Sequence, residues 1–581
     1  MSPRLKSLVA IFALVSLPYA LSVSSSPCTE LASLLPGKVF LPNSATYNSS
    51  GSSYFARQEQ EIHPACIVAP SSAEDVSTAV QHLANLPNSN FAIRSGGHSS
   101  NPGAANAPDG VTFDLAQLNT ITVHPDTATV AVGSGLSWQE VYDVLDPYGL
   151  VVLGGRTGIV GVGGLLTGGG LSTFSPELGF ACDSIVNMQV VLASGEIVDA
   201  NETHNAPLFS ALKGGQNNFG VVTRFDLATF PQDEFWGGAI QYPASANEAQ
   251  LDAFWKFKNS TVDPYAEVEQ SFLYNASAPS ANPEEKYYSS NNLFYTRPVA
   301  SVEDTVLRVF TSSNIHEPQG YNSVRVANMS DFARELSLFQ PVDQYSIYAT
   351  TTFRLSPTIL QQVHALWRSF TSMQPQSSVP GLVSSLTFQT LPPVIRSSRN
   401  SLGFPPNSHP EENLVLVLVS NYWPGGAYSR ALRDGTRALF EEIDALARSE
   451  GLDERFRYMN YAAEWQDVVS GYGEESVEEL WRVSRRARNN CKVQASLLQV
   501  DVGAVFVLCE EGQAQNVREG AFFGTSFGTQ ITSSELPQLG GVLQNKDHAS
   551  YVGGCGYEVK GLFWEWVADW TRRKSCWEKR L

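Results

Sequence analysis

The chain has 581 residues, 43% hydrophobic and 16% charged, a globular composition too large for one compact core. Two lobes are expected, since single cores stop growing at roughly 250–300 residues. A net charge of −19 excludes a nucleic-acid partner, whose phosphates would be repelled, and no run of like charge is long enough to form a tail or a basic patch.

Arg4 and Lys6 precede an apolar stretch at residues 8–21, and the small residues Ala20 and Ser22 lie near a cleavage point. That order predicts a signal peptide over residues 1–22 and a secreted, extracellular protein. A membrane anchor competes with this reading, but the run falls short of the ~20 residues a span needs. No later segment is long and apolar enough to cross a bilayer, so no membrane association is expected. Five glycosylation sequons, at Asn48, Asn201, Asn259, Asn275 and Asn328, fit the secretory pathway, although each tripeptide is common by chance. None of the seven cysteines forms a C-x-x-C pair, and no metal site is expected. In an oxidising compartment Cys28 and Cys66 are the expected disulfide, and Cys182, inside an apolar run, the buried free thiol.

Ser71-Ser72-Ala73-Glu74 reads as a capping box opening a helix whose Val76, Ala79, Val80 and Leu83 share one face. Residues 91–93 read as a strand running into Arg94, Ser95, Gly96, Gly97, His98 and Ser99. Two strands at 120–123 and 127–132 turn at Pro125-Asp126, and Ser137-Trp138-Gln139-Glu140 opens a second capped helix ending before Pro147. Residues 185–192 and 196–199 form a hairpin turning at Ser194-Gly195, and residues 213–220 lead into a strand at 221–225. The glycine punctuation fades near Pro231, which places a first domain over 23–232 and a second over 233–455. The second region alternates strands (349–353, 414–419) with a helix (432–446), and 457–461 reads as a strand.

Residues 154–170 hold nine glycines in seventeen positions. Clustered glycines let backbone amides converge on an anion without side chains in the way, as a pyrophosphate requires. Ile159, Val160, Val162, Leu165 and Leu166 interleave them, so the stretch is packed rather than a linker; a tightly turned structural loop is the competing reading. A P-loop is excluded because Gly-Lys-Ser/Thr is absent, and a Rossmann fingerprint because Leu166 stands where glycine or alanine is needed.

Taken together, RSGGHS at 94–99, GVGGLLTGGG, ACDSIVNMQVVLASGEIVDA and ALKGGQNNFGVVTRFDL resemble the berberine-bridge-enzyme-like FAD-linked oxidases, whose FAD domain is also that of vanillyl-alcohol oxidase and p-cresol methylhydroxylase (PCMH). The resemblance spans residues 60–486 and is strongest to the fungal secondary-metabolite branch. It implies an α+β fold: a two-subdomain FAD-binding domain and a substrate domain with an antiparallel sheet, residues 456–486 returning to the first. It also implies that Arg94–Ser99 lie along the FAD pyrophosphate and that His98 bonds the flavin 8α carbon; an ordinary loop histidine is the alternative. Thr157, Gly158, Val160, Gly163, Gly164, Gly168 and Val221 are the further cofactor contacts implied. Thr157 stands where many relatives carry a second, cysteinyl link, so a single attachment is expected. Leu165 replaces a histidine of the plant relatives, and Val160 matches a position said to gate oxygen, where a small β-branched residue favours an oxidase.

Tyr458-Met459-Asn460-Tyr461 resembles the family's Tyr-x-Asn-Tyr motif, which makes Tyr461 the candidate base and Tyr458 a substrate or flavin contact. Two core-packed tyrosines are the alternative. A phenol near pKa 10 needs a positive neighbour or coupling to the flavin anion to act at neutral pH. A rough alignment puts Leu416 where some plant relatives have a glutamate base. The expected function is secreted oxidation of a small organic molecule with dioxygen, by a monomer, in secondary metabolism. Carbohydrate oxidation and a non-redox cyclisation templated by the flavoprotein are the alternatives. A hydrolase built on Gly524-x-Ser526-x-Gly528 is disfavoured, because the residues after it start a helix poorly. Residues 487–581 carry four cysteines and no family likeness, and are expected to be a gene-model artefact.

Overall fold

A computed structural model describes residues 26–86, 89–280, 282–312, 315, 320–395, 399–489 and 506–508. The expected signal peptide and the Gly524, Ser526 and Gly528 motif lie outside them, as does most of 487–581.

One five-stranded sheet runs in the order Val39–Phe40, Cys66–Val68, Val111–Asp114, Ser89–Arg94 and Phe506–Leu508. Cys66–Val68 and Ser89–Arg94 both lie parallel to Val111–Asp114, so the helix Ala73–Ala84 is the crossover such a pair requires. Val76, Ala79, Val80 and Leu83 are its buried face. The helix starts one residue later than the Ser71–Glu74 box implies: Ser72 is the N-cap and accepts from the Asp75 amide. Asp75, also paired with Lys38, accepts from the Ser71 amide at 2.9 Å and takes the place expected of Glu74. The Cys28–Cys66 disulfide staples the helix Pro27–Leu34 to the first strands, and Cys182 is a buried free thiol.

A second five-stranded sheet is antiparallel throughout, in the order Ile121–His124, Thr129–Gly133, Val221–Ala228, Ile185–Val191 and Ile197–Asn201. Against it packs the helix Trp138–Leu145, opened by the second capping box: the Glu140 carboxylate accepts from the Ser137 amide at 2.8 Å.

The third sheet has seven antiparallel strands, ordered Arg325–Ala327, Phe235–Pro243, Tyr287–Tyr295, Ala266–Asn275, Val383–Thr390, Leu414–Trp423 and Tyr345–Arg354. The period of two divides its faces. Phe272, Leu386, Phe388, Val417 and Val419 bury one side in a core shared with the helices Asn247–Lys258, Pro357–Ser372 and Ser429–Ser449. Their neighbours Ser271, Thr387 and Leu418 face a cavity. The chain then returns to the first half: the Tyr472 hydroxyl donates to the Gly214 carbonyl at 3.0 Å, and Leu480 of the helix Glu474–Asn489 shares a core with Leu212 and Phe219. This is the expected α+β architecture, two α+β subdomains beside an antiparallel sheet. No described helix is long and apolar enough to cross a membrane.

Candidate active site

A cavity of about 490 Å³ is walled on one side by the 95–101 turn and the glycine-rich segment, and on the other by the seven-stranded sheet. Nine of the thirteen cofactor contacts expected from sequence reach its wall: Ser95, Gly96, Gly97, His98, Ser99, Thr157, Val160, Gly163 and Gly164. The turn after Ser89–Arg94 needs glycine, because Gly97 has φ 65° and a Cβ there would lie 2.9 Å from the Tyr54 ring. Gly96 packs so closely on Gly161 that a Cβ would lie 2.6 Å from the Gly161 Cα. Ser95 ties the two segments together, its hydroxyl donating to the Ser134 carbonyl at 2.6 Å and accepting from the Gly163 amide at 3.1 Å.

Four expected contacts are not among the lining residues. Arg94 points away: its guanidinium donates to the carbonyls of Ser50 and Ser53, lies 3.7 Å from Asp114 and stacks on Tyr54, so it braces the turn from behind. Gly158 is held by the Ala333 carbonyl. Gly168 serves close approach instead, since a Cβ would lie 1.9 Å from Asn460 Oδ1. Val221 is buried in the first subdomain's core, and strand alternation gives the wall its neighbour Val222.

His98 is half-buried with its ring stacked on Phe55, centroids 3.8 Å apart and planes inclined by 22°. Burial lowers its pKa to about 4, which keeps the imidazole neutral at physiological pH.

The tyrosine pair departs from the strand reading of 457–461. Met459–Tyr461 is a 3₁₀ turn, and this is what brings the two rings together. Residues three apart on a strand face opposite sides, whereas three residues complete a 3₁₀ turn. Tyr458 and Tyr461 accordingly meet edge to face with centroids 4.8 Å apart, and both line the cavity. Asn460 anchors the turn to the glycine-rich segment, donating to the Leu165 carbonyl at 3.0 Å and to the Tyr458 hydroxyl at 3.1 Å.

Sequence reasoning missed the charged group beside Tyr461. Arg156, between the glycines, donates to the Tyr461 hydroxyl at 2.8 Å, to Gln389 Oε1 at 2.7 Å and to Glu267 at 2.8 Å, and lies 3.0 Å from Glu269. Burial raises the Tyr461 pKa, while the Arg156 charge pulls it back down. Burial and the nearby Glu269 charge push Glu267 up against the pull of Arg156, to about 8. The Gln389 Nε2 and Glu267 Oε2 atoms are buried with no partner among the described residues. The alternation Glu267-x-Glu269-x-Ser271 was the one local signal, placing three polar groups on one strand face. Leu416 lies in the apolar core and is not among the lining residues, so no carboxylate base stands there.

The glycine wall fits a pyrophosphate on two counts. The amides of Gly96, Gly97, His98 and Ser99 donate to no acceptor among the described residues, and a Cβ on Gly164 would meet nothing within 4 Å. Consecutive unpaired amides on an open glycine surface make an anion nest.

Comparison with known proteins agrees. Residues 64–201 match a family described as an FAD binding domain. The chain is 35% identical over 475 residues to the FAD-dependent monooxygenase sdcF of Emericella nidulans, covering 80% of this chain and 95% of that one. The structure of 6-hydroxy-D-nicotine oxidase from Arthrobacter nicotinovorans superposes with a TM-score of 0.64 at 19% identity, over 78% of this chain and 96% of that one. Physcomitrella patens BBE-like 1 gives 0.64 at 16% identity, over 79% and 96%. Fold and site define an FAD-dependent oxidoreductase. Within that class, the chain belongs to the family of fungal FAD-dependent monooxygenases represented by sdcF, and it shares its fold with BBE-like 1.

Proposed function

We propose that this protein is a secreted oxidase of fungal secondary metabolism, oxidising a small alcohol or natural-product intermediate with dioxygen as acceptor. Its FAD is held by one 8α bond to His98. When bound, FAD supplies a hydride acceptor and passes the two electrons to dioxygen. The observation that carries the reading is the 2.8 Å hydrogen bond from Arg156 to the Tyr461 hydroxyl. A buried guanidinium favours the phenolate, which can then take the proton of a substrate hydroxyl. Gln389 Oε1 receives both Arg156 and Tyr461, so its Nε2 is left for a substrate oxygen. Neutral His98 offers a ring lone pair for the bond, and Thr157, with no thiol, offers no second one. Val160, on the cavity wall, leaves room for dioxygen.

Export is read from residues 1–22, and the exposed Asn48 and Asn259 are the best-placed glycan acceptors. Carbohydrate oxidation is a second reading, favoured by the polar side chains Ser271, Ser290, Asn292, Thr387 and Ser420 on the sheet wall.

The deciding experiment is oxygen uptake by the purified yellow protein against panels of alcohols, phenolic intermediates and saccharides. An oxidase releases one peroxide per dioxygen consumed and leaves no labelled oxygen in the product under ¹⁸O₂. Labelled product, or turnover with no oxygen uptake, would overturn the reading.

A further inference from the structure

His98 has no hydrogen-bonded group to orient it: neither ring nitrogen has a partner among the described residues. A reactive imidazole is ordinarily aimed by the partner of its second nitrogen. Among the described residues, the aromatic ring stacked on the imidazole is that of Phe55.

Phe55 is itself held on every side. Its amide donates to the Gly97 carbonyl at 3.1 Å, and its carbonyl accepts from the Asp343 amide at 3.0 Å. Its ring meets Tyr348 and Tyr422 edge-on at 6.4 and 6.2 Å, and the hydroxyls of those two are hydrogen-bonded at 2.6 Å. Tyr54, its neighbour in sequence, lies under Gly97. The pair Tyr54-Phe55 thus grips the turn that presents His98, and the substrate sheet backs Phe55.

We propose that Phe55 is the positioning residue for flavin attachment, its stacked ring setting the plane of the His98 imidazole. The proposal rests on His98 being the attachment residue. Attachment exchanges one 8α C–H and one imidazole N–H for a C–N bond. The two electrons and two protons released pass through the flavin to dioxygen, giving hydrogen peroxide. Phe55 takes no part in that balance; it limits the orientations the imidazole explores, an entropic saving of the kind that places reacting atoms.

The test uses the full chain as purified and measures, for each variant, total FAD bound and the share that stays with acid-precipitated protein. Phe55→Leu is expected to bind FAD at the parental ratio with a linked share lowered roughly tenfold, a loss of ~1.4 kcal/mol of orientation. Phe55→Tyr, which keeps the stack, is expected to link as the parental protein does. A purely structural role would not lower the linked share at equal bound FAD. Parental linkage in Phe55→Leu overturns the proposal alone, as does failure of Phe55→Tyr. Should Phe55→Leu hold no FAD, Phe55→Met decides by the same ratio, and if it too holds none, Phe55 maintains the site rather than aiming the imidazole and the proposal fails. Fully extractable FAD in the parental protein overturns the His98 reading itself and the proposal with it.

Discussion

The guanidinium of Arg156 donates to the hydroxyl of Tyr461 at 2.8 Å, joining residues 305 positions apart. One comes from the glycine-rich segment and the other from the 3₁₀ turn after the large sheet, so the contact exists only when both halves are assembled. It supplies the positive neighbour that a tyrosine base requires.

Replacing Tyr461 by Phe should leave the protein yellow and slow flavin reduction by roughly 10²–10⁴-fold, the usual share of a general base. Stopped-flow reduction under anaerobic conditions reads this directly. Reduction at the parental rate would place the base elsewhere, with Tyr458 next in line.

Arg156→Gln keeps an N–H donor and removes the charge. A cation beside a phenol lowers its pKa, so losing it should shift the rise of flavin reduction with pH upward by about one unit. The same change strips Glu267 of its buried partner, and a loss of roughly 3–5 kcal/mol in stability should follow at pH values where that carboxyl is charged. A pH–rate profile that overlays the parental one would remove Arg156 from the mechanism.

Glu59 is buried at the base of the 101–107 loop, where one carboxylate oxygen accepts from the Ala105 amide at 3.0 Å. Burial raises its pKa from 4.5 to about 7. A raised folded pKa stabilises the fold below pH 4.5, and that contribution is lost as pH climbs through about 7. Glu59→Gln, uncharged at every pH, should therefore gain on the parental protein above pH 7, by up to roughly 3 kcal/mol. Melting temperatures at pH 5 and pH 8.5 test this: the variant's advantage must grow with pH, and a constant difference refutes the assignment.

The Cys28–Cys66 bridge closes a separation of 38 residues. Chain-entropy reasoning gives it roughly 3–4 kcal/mol. Cys28→Ser should lower the denaturation midpoint accordingly without changing flavin content, and an unchanged midpoint would show that the bridge contributes nothing.

Local chemistry decided much of this protein in advance. The Ser137–Glu140 capping box, the Ser194-Gly195 hairpin and the Cys28–Cys66 pairing are contacts within, or signals close to, a short stretch of chain, and they stand where sequence puts them. Nine of the thirteen residues expected to contact a cofactor reach the cavity wall, because glycines cluster where backbone must leave a surface open. What sequence could not decide is which of those glycines face the ligand and which face the protein. Gly168 and Gly163 look alike in a string, yet only packing shows that Asn460 fills the space above Gly168. The strand reading of 457–461 failed for a related reason: five residues rich in tyrosine satisfy β-propensity, while the 3₁₀ turn is stabilised by Asn460 reaching Leu165, 295 positions away. Arg156 and Gln389 gave no motif, and Glu267 and Glu269 only an alternation on one strand face, because a buried charge network is specified by three dimensions of neighbours and a sequence displays one. The amino-acid string determined the family, the cofactor and the local elements; tertiary packing alone decided which side chain meets the phenol of Tyr461.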